Sequence, residues 1–468
     1  MDRILSTLHG LVWGPVTIVW ILGIGLGLTW HLGCPQARFL PRAFRLFFSP
    51  PRGEGGTSSF RALCTALAAT VGTGNLVGVA GAISLGGPGA IFWMWVSGFL
   101  GMATKYAEAT LAVRWRVKTG DGYVGGPMYV ITRGLGEGFA PLARLYCLFG
   151  LLASFGVGNA TQIGALVGGL NTLAALRGGT LSRGATLAVG LILALVIGTL
   201  LLGGTRRIGA VAEGLVPVLA AAYFLLCVGA IGANASRLPG AVRAIFRGAV
   251  SPRSVTGGAV AGLGAVRTGC SRGVFTNEAG MGTASIAHAG AQVDHPAQQG
   301  LMGVMEVLLD TLVICTLTAL VILTSGVPIP YGVDGGMDLT TDAFAVTYGP
   351  AATVFLCLAL GCFAFATVLG WGLYGGSCAR FLFGPEAWGP YVLAQSAVVV
   401  LGACLRADRV WLAAEILNGL MALPNLLALG LMMPEIAALT EEYASHLRRH
   451  PPEKPGILAP YKGRRNEP

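Results

Sequence analysis

Long apolar stretches recur along the whole chain, and they constrain its fold more than any other feature. Each stretch has about 20 residues or more, the length that an α-helix needs to cross the hydrocarbon core of a bilayer. Only 11% of the 468 residues are charged, whereas a soluble domain carries about 25%. So few charges cannot cover a water-facing surface, and the sequence therefore predicts an all-α polytopic membrane protein.

About eleven membrane helices are predicted from these stretches. They lie at residues 11–32, 62–84, 89–113, 142–171, 184–204, 210–232, 257–290, 298–325, 347–379, 388–405 and 409–433. Most of the Lys and Arg residues outside them fall in the first loop, in the C-terminal tail and in other segments on the same side. By the positive-inside rule that side is cytoplasmic, so we expect an external N-terminus and a cytoplasmic C-terminus.

The same pattern divides the chain into four parts. Residues 1–61 hold an extra N-terminal helix and a basic cytoplasmic loop, residues 62–235 and 236–435 form two five-helix blocks, and residues 436–468 form a basic cytoplasmic tail. After about Leu447 the tail is rich in proline and is predicted to be disordered. The stretch RLPGAVRAIFRGAVSPR has the spacing of a short amphipathic helix on the membrane surface. The net charge of +10 comes from basic residues at the segment ends, so it indicates contact with membrane lipid and not with nucleic acid.

Two of the apolar stretches contain residues that weaken a helix. ATVGTGNLVGVAG (residues 69–81) carries four glycines, and SRGVFTNEAGMGTASIAHAG (residues 271–290) places Asn277, Glu278 and further glycines inside a predicted span. Non-helical backbone at membrane depth occurs only where it lines a cavity or is buried in protein. GNLVG on its own also fits a GxxxG helix-packing pattern, and that alternative stays open here.

The position of these two segments favours a transporter. Each lies in the first span of a five-helix block, and an odd number of spans per block inverts the second block. Secondary transporters are built in this way, with two interrupted helices that meet at the middle of the membrane. At such a break, free N–H groups can bind a carboxylate and free carbonyls can bind a small cation.

Several other polar and aromatic residues lie inside predicted spans. Lys105 and Glu108 are three residues apart and could pair on one helix face. Glu278 must avoid lipid, so it could order the unwound backbone or pair with Arg267 or Arg272. The remaining candidates are Asn159, Gln162, Phe275, Asp310, Thr367, Trp93 and Trp371. No HExxH motif, Ser/His pair at suitable spacing or cysteine cluster is visible in the sequence, so we expect no enzymatic activity and no cofactor.

Six motifs together resemble the alanine/glycine:cation symporter family, which comprises bacterial and archaeal sodium:alanine symporters. They are the stretch from ALAATVGTGNLVG to TLAVRWR, GGPMYVITRGLG, SFGVGNATQIGAL, RGVFTNEAGMGTASIAHA, DTLVICTLTALVILTSG and FAFATVLGWGLYG. The resemblance covers roughly residues 10 to 435. It implies a leucine-transporter-like fold with a 5+5 inverted repeat, two broken helices and one extra N-terminal helix, in the plasma (inner) membrane of a prokaryote.

The resemblance also implies which residues bind substrate and ion. The N–H groups of Gly72, Thr73 and Gly74 would face the substrate carboxylate. The other substrate-binding positions are Asn75, Gln162, Phe275, Asn277 and Trp371. Sodium, the coupling ion, would bind carbonyls around Ala68 and Val71 and the hydroxyl of Thr367. A second cation site, if present, would use Thr70, Asn75 and Thr276.

The function implied is sodium-coupled symport of alanine or glycine by alternating access. A sodium-independent or proton-coupled permease of the same fold is the alternative, and a solute sensor without transport is a further one. One departure from the family affects the ninth span. The family usually has two tyrosines, a glycine and a glutamate after LGW, whereas this chain has Gly372, Leu373, Tyr374, Gly375 and Gly376. This change could alter substrate range or gating.

Overall fold

The computed structural model describes residues 2–49, 57–120, 122–176, 178–250, 260–404 and 408–449. The end of the predicted basic tail, residues 450–468, lies outside the described residues. So do part of the first basic loop and the last residues of the predicted amphipathic segment.

The described chain is almost entirely helical. In the first half the helices are α1 (Asp2–Val12), α2 (Pro15–His31), α3 (Pro35–Arg38), α4 (Leu40–Phe47), α5 (Ser59–Thr70), α6 (Val79–Gly86), α7 (Gly89–Arg114), α8 (Pro127–Tyr129), α9 (Ala140–Phe155), α10 (Thr161–Ala175), α11 (Arg183–Leu202) and α12 (Gly204–Ala233). In the second half they are α13 (Leu238–Val250), α14 (Val260–Asn277), α15 (Thr283–His288), α16 (Pro296–Val307), α17 (Thr316–Ser325), α18 (Gly336–Tyr348), α19 (Pro350–Phe383), α20 (Trp388–Cys404), α21 (Asp408–Leu431) and α22 (Met433–Arg449).

Shorter elements connect these helices. Wider, π-helical turns lie at Gly74–Gly78, Val130–Leu135, Gly156–Ala160 and Leu308–Cys315, and 3₁₀ turns lie at Glu137–Phe139, Ala235–Arg237 and Pro385–Ala387. Strands β1 (Val117–Thr119) and β2 (Gly122–Val124) pair antiparallel, with Lys118 opposite Tyr123. This hairpin lies beyond the end of α7.

Each predicted span overlaps at least one helix of the described residues, and residues 257–259 and 405 of these predictions lie outside them. Within the part of the chain that the structure describes, eight helical segments are long and apolar enough to cross a membrane, and the bent pair α5 and α6 would make a ninth. The predictions at 89–113 and 257–290 correspond to α7 and to the interrupted helix α14–α15, which are outside that set. An all-α membrane fold with broken helices is therefore confirmed, while the count of eleven and the inverted repeat stay predictions.

Some helices were missed or only partly predicted. The amphipathic segment forms α13, which buries Ile245 and exposes Arg243 and Arg247. The helix α18 lies in a loop that carries no long apolar run. The helix α22 occupies the first part of the predicted tail, where Ile436 and Tyr443 are buried. A search for apolar spans does not detect α22, because its composition is polar.

Small residues let the central helices approach closely. A Cβ atom on Gly89 of α7 would lie 2.1 Å from the carbonyl carbon of Gly248 in α13. A Cβ atom on Gly269 of α14 would lie 2.2 Å from the carbonyl oxygen of Ala90. Such contacts between backbones are typical of helix packing in membranes, where small residues replace the larger side chains of a soluble core. They fix α14, and with it the second break, against α7.

Candidate functional site

The first break lies between α5 and α6. The two helices are bent by 56° relative to each other, and α5 ends at Thr70. Asn75 holds this turn from inside. Its Oδ1 accepts a hydrogen bond of 2.8 Å from the N–H of Gly72, and its Nδ2 donates one of 2.8 Å to Oδ1 of Asp310. One side chain thus satisfies a main-chain donor that the helix has released and joins the break to the turn at Leu308–Cys315.

The second break separates α14 from α15. Glu278, Gly280 and Gly282 have positive φ values of 53°, 94° and 76°, a region that favours glycine, so the two glycines are required by the path of the chain. Glu108 of α7 holds this turn. Its Oε1 accepts hydrogen bonds of 3.0 Å from the N–H groups of Gly280 and Gly282 and one of 2.7 Å from Nδ2 of Asn425.

The two breaks meet. A Cβ atom on Gly74 would contact Thr276 at 3.4–3.5 Å. Gly78, the second glycine of the GxxxG pattern, would contact nothing within 4 Å. GNLVG therefore forms part of the interruption and lacks the paired close contacts of a GxxxG packing face.

A cavity lies between the breaks, and we refer to it as the central cavity. It is lined by Ala69, Thr70, Gly72, Thr73, Gly74, Val157, Gln162, Phe275, Glu278, Thr367 and Trp371. Its empty volume is ≈ 300 Å³, but the centre of a water-sized sphere can move in only ≈ 20 Å³ of it. The accessible space at the junction of the two breaks is therefore small.

Many of the residues expected at the site are brought together here. Those in the wall are Gly72, Thr73, Gly74, Gln162, Phe275, Trp371, Thr70 and Thr367. Oε1 of Gln162 has no hydrogen-bond partner among the described residues, while its Nε2 donates to the carbonyl of Val157 at 3.1 Å. Gln162 therefore offers a free acceptor in a buried wall, and such a group is costly to leave unpaired.

Other expected residues lie behind the wall. Asn75 is engaged with Asp310, as described above. The Nδ2 of Asn277 donates to Oγ1 of Thr311 at 3.1 Å, and Oγ1 of Thr276 donates to the carbonyl of Arg272 at 2.6 Å. Their part in binding stays a prediction, and in this conformation they support the backbone of the breaks.

The expected ion ligands lie next to the central cavity. Oγ1 of Thr367 is 3.1 Å from the carbonyl oxygen of Ala68 and donates to it. A Cβ atom on Gly72 would be 3.0 Å from the same hydroxyl. Val71 is buried and donates its N–H to the carbonyl of Leu67. In the part of the chain that the structure describes, no three His, Cys, Asp or Glu residues form a metal-binding group.

The predicted charge pairs were wrong. Lys105 forms its ion pair with Glu306 and not with Glu108: its Nζ lies 2.9 Å from Oε1 of Glu306. Glu306 also contacts Nε2 of His288 at 3.0 Å, and Nδ1 of His288 lies 2.7 Å from Nε2 of Gln299. Glu306 was missed, although a carboxylate inside the predicted span 298–325 was itself a signal.

Glu278 pairs with neither Arg267 nor Arg272, whereas its other expected role, ordering the unwound backbone, stays a prediction. Its Oε2 accepts a hydrogen bond of 2.6 Å from Thr283. Arg272 instead forms an ion pair with Asp334, with 3.4 Å between the charged atoms. Trp93 donates its Nε1–H to the carbonyl of Ala249 and is not in the wall of the central cavity.

Comparison with known proteins agrees with this geometry. The model of the sodium:alanine symporter family matches residues 1–455. The chain belongs to the sodium:alanine symporter family. The sodium/alanine symporter AgcS of Methanococcus maripaludis is 39% identical over 448 residues, which cover 94% of this chain and 96% of that protein. The probable sodium/glutamine symporter GlnT of Bacillus subtilis is 35% identical over 447 residues, with 95% of this chain and 91% of that protein covered.

A solved structure supports the fold. The crystal structure of MhsT in complex with L-phenylalanine aligns with a TM-score of 0.56 at 14% identity, over 84% of this chain and all of that chain. At this identity the likeness concerns the fold alone. The family match places the protein among multi-pass membrane transporters for sodium-coupled amino-acid symport.

Two glycines of the stretch in the ninth span that departs from the family pattern, Gly372 and Gly376, lie against large side chains. A Cβ atom on Gly372 would lie 2.6 Å from Leu201, and one on Gly376 would lie 2.3 Å from the ring of Trp388. Leu201 and Trp388 thus occupy the space beside these two glycines. Neither glycine lines the central cavity, so we expect the departure to affect helix packing more than substrate contact.

Proposed function

We propose that the protein is a sodium-coupled symporter of small neutral amino acids, alanine and glycine, which works by alternating access. One observation carries this proposal: two interrupted membrane helices meet at a closed cavity whose wall combines freed main chain with Gln162, Phe275, Thr367 and Trp371. The family of the chain and the names of its relatives support the sodium and amino-acid parts.

In the proposed binding mode, main-chain N–H groups bind the carboxylate of the substrate. The N–H groups of Thr73 and Gly74 bind the carboxylate, because a break in a helix leaves donors that a carboxylate can accept. The free Oε1 of Gln162 accepts a hydrogen bond from the substrate. Sodium binds the carbonyl of Ala68 and the hydroxyl of Thr367, whose proton turns away from the ion.

The size of the cavity supports a small substrate. Trp371 is fully buried, and the freely accessible space is ≈ 20 Å³, about what one water molecule needs. Walls packed to protein density resist additional methylene groups, at a cost of about 1–3 kcal/mol. Glutamine, named for the relative GlnT, is therefore expected to bind less well than alanine.

Coupling follows from binding of both ligands at the junction of the two breaks. Each ligand favours the closed state more strongly when the other is bound, and such a reciprocal linkage amounts to about 1–3 kcal/mol. The proposal places the protein in a prokaryotic plasma membrane, in contact with lipid and with an external N-terminus. It includes no enzymatic activity and no nucleic-acid binding. Na⁺ acts as the coupling ion, and no cofactor is proposed.

Uptake of labelled alanine into proteoliposomes tests the proposal. We expect an inward sodium gradient to raise the initial rate, and unlabelled alanine and glycine to compete better than glutamine. Equal uptake with and without the gradient would indicate a sodium-independent permease, and stimulation by a proton gradient alone would indicate proton coupling. Saturable binding without uptake would indicate a sensor.

A further inference from the structure

A second, larger cavity lies directly beyond Phe275. Phe275 lines both this outer cavity and the central cavity. The other residues of the outer cavity are His9, Trp13, Leu85, Gly264, Arg267, Thr268, Ser271, Arg272 and Glu415. The centre of a water-sized sphere can move in ≈ 330 Å³ of it, so the outer cavity is large enough for an amino acid, whereas the central cavity offers far less accessible space.

The charged groups of the outer cavity come from different helices. Arg267 and Arg272 belong to α14. Arg272 is paired with Asp334, but Arg267 is exposed and has no ion pair among the described residues. A carboxylate comes from α21, where Glu415 contacts Nε2 of His9 at 2.7 Å. A guanidinium with an unoccupied fork and a carboxylate in one cavity are complementary to the two ends of an α-amino acid.

We propose that the outer cavity is a binding site for the α-carboxylate and α-ammonium groups of an amino acid, which it holds before Phe275 moves. Arg267 binds the carboxylate in a bidentate manner, and Glu415 attracts the ammonium group. This site rests on the proposed function, because its ligand is the transported amino acid.

The N-terminal helix α1 contributes to the outer cavity. Trp13, which follows α1, donates its Nε1–H to the carbonyl of Glu415 at 2.9 Å, and His9 contacts the carboxylate of the same residue. The helix α1 therefore orients Glu415 and closes one wall of the outer cavity. It does so on the side of the chain's N-terminus, which the positive-inside rule predicts to be external.

A cysteine reporter in the full-length protein tests the site without requiring transport. Ser271 lines the outer cavity, and Ser271→Cys is nearly isosteric. Its rate of modification by a charged thiol reagent is measured as the increment over the parent protein, since that protein has ten native cysteines. We expect L-alanine to slow modification severalfold in sodium-free buffer, whereas alaninamide, which lacks the carboxylate, leaves the rate unchanged.

Variants then identify the group that binds the carboxylate. In the Ser271→Cys protein, Arg267→Gln should abolish protection by alanine and Arg267→Lys should retain part of it. Arg243→Gln is the matched control, because Arg243 is exposed on α13 outside the cavity. In uptake assays, Arg267→Gln should raise the apparent KM for alanine severalfold at saturating sodium with little change in kcat.

The outcomes separate this site from the transport function. Equal protection by alaninamide, protection that survives Arg267→Gln, or protection that requires sodium would overturn the outer site, since each points to movement caused by the central cavity. Absence of any protection by alanine would overturn it as well. A wild-type protein without sodium-stimulated uptake would contradict the proposed function, whereas protection of Ser271→Cys would still be observed.

Discussion

At the scale of single residues, the proposed ion site includes one side-chain hydroxyl. Thr367 lies in the middle of α19, and its Oγ1 donates to the carbonyl of Ala68, which belongs to the last turn before the first break. A threonine in a helix usually bonds to its own preceding turn. Thr367 instead forms a hydrogen bond to another helix, α5. Its hydroxyl oxygen is therefore placed where it could bind an ion at the end of α5.

We predict that Thr367→Val weakens sodium dependence. The valine keeps the shape but removes an oxygen, and an interaction with a charged group contributes about 1.5–3 kcal/mol. The sodium concentration for half-maximal alanine uptake should therefore rise about tenfold or more. Thr367→Ser keeps the hydroxyl and should remain close to wild type. An unchanged sodium curve for Thr367→Val would remove this residue from the ion site.

A glycine next to the central cavity sets the position of its aromatic wall. A Cβ atom on Gly158 would lie only 2.3 Å from Cβ of Trp371. We predict that Gly158→Ala displaces the indole, reduces alanine uptake and destabilises the fold by about 1–3 kcal/mol, as overpacking of a core does. Gly168→Ala in α10, where a Cβ atom would meet nothing within 4 Å, is the control and should retain full uptake. Wild-type uptake by both variants would show that Trp371 can shift without loss of function.

At the scale of elements, the sequence indicated where helices break but not what holds the breaks. Glycines at 72, 74, 280 and 282 are local signals, and they lie where the structure interrupts both helices. The groups that complete each turn come from distant segments: Glu108 is 172 residues from Gly280, and Asp310 is 235 residues from Asn75. Periodicity describes one helix at a time, so it cannot pair such residues.

We predict that Glu108→Ala strongly destabilises the protein. Its Oε1 is the acceptor for two main-chain N–H groups and for Asn425, and a buried donor left unpaired costs about 1–3 kcal/mol. Thermal unfolding in detergent should show a clear decrease in Tm, together with loss of alanine uptake. Glu108→Gln keeps an acceptor oxygen, so its decrease in Tm and its loss of alanine uptake should be smaller.

Glu137→Ala provides the control for this measurement. Glu137 is exposed in a 3₁₀ turn outside the core, so its removal should leave Tm close to that of wild type. A Tm for Glu108→Ala that equals the control would show that the second break is held by packing alone.

At the scale of the whole molecule, the positions of the membrane helices could be predicted because burial in lipid requires long apolar runs. Among the helices that escaped prediction, α18 and α22 have partly polar sequences, which a search for long apolar runs does not detect. The charge pairs failed for another reason. Lys105 has a carboxylate three residues away in Glu108, but the fold brings Glu306 to it from a helix 201 residues along the chain, and Glu108 is already engaged by main-chain donors.

This buried pair connects helix segments next to both breaks. Lys105 lies in α7 and Glu306 in α16, and both side chains are essentially inaccessible to solvent. Through His288 the network reaches α15, and through Gln299, which accepts from the hydroxyl of Ser59, it reaches α5. It therefore attaches one half of each broken helix to the same two supporting helices.

We predict a strong coupling between Lys105 and Glu306. Removal of one partner leaves a buried charge uncompensated, so Lys105→Met and Glu306→Leu should each cost about 3–5 kcal/mol of stability. The double variant removes both charges, and its loss should be much smaller than the sum of the two. Thermal unfolding of the four proteins gives the coupling, and alanine uptake by the double variant shows whether the polar contact to α15 is needed as well.

The exposed pair Arg448 and Glu441 is the control, with an expected coupling below about 1 kcal/mol. Additive losses in the buried pair would mean that α5 and α15 are attached by apolar packing, and the two breaks could then move independently.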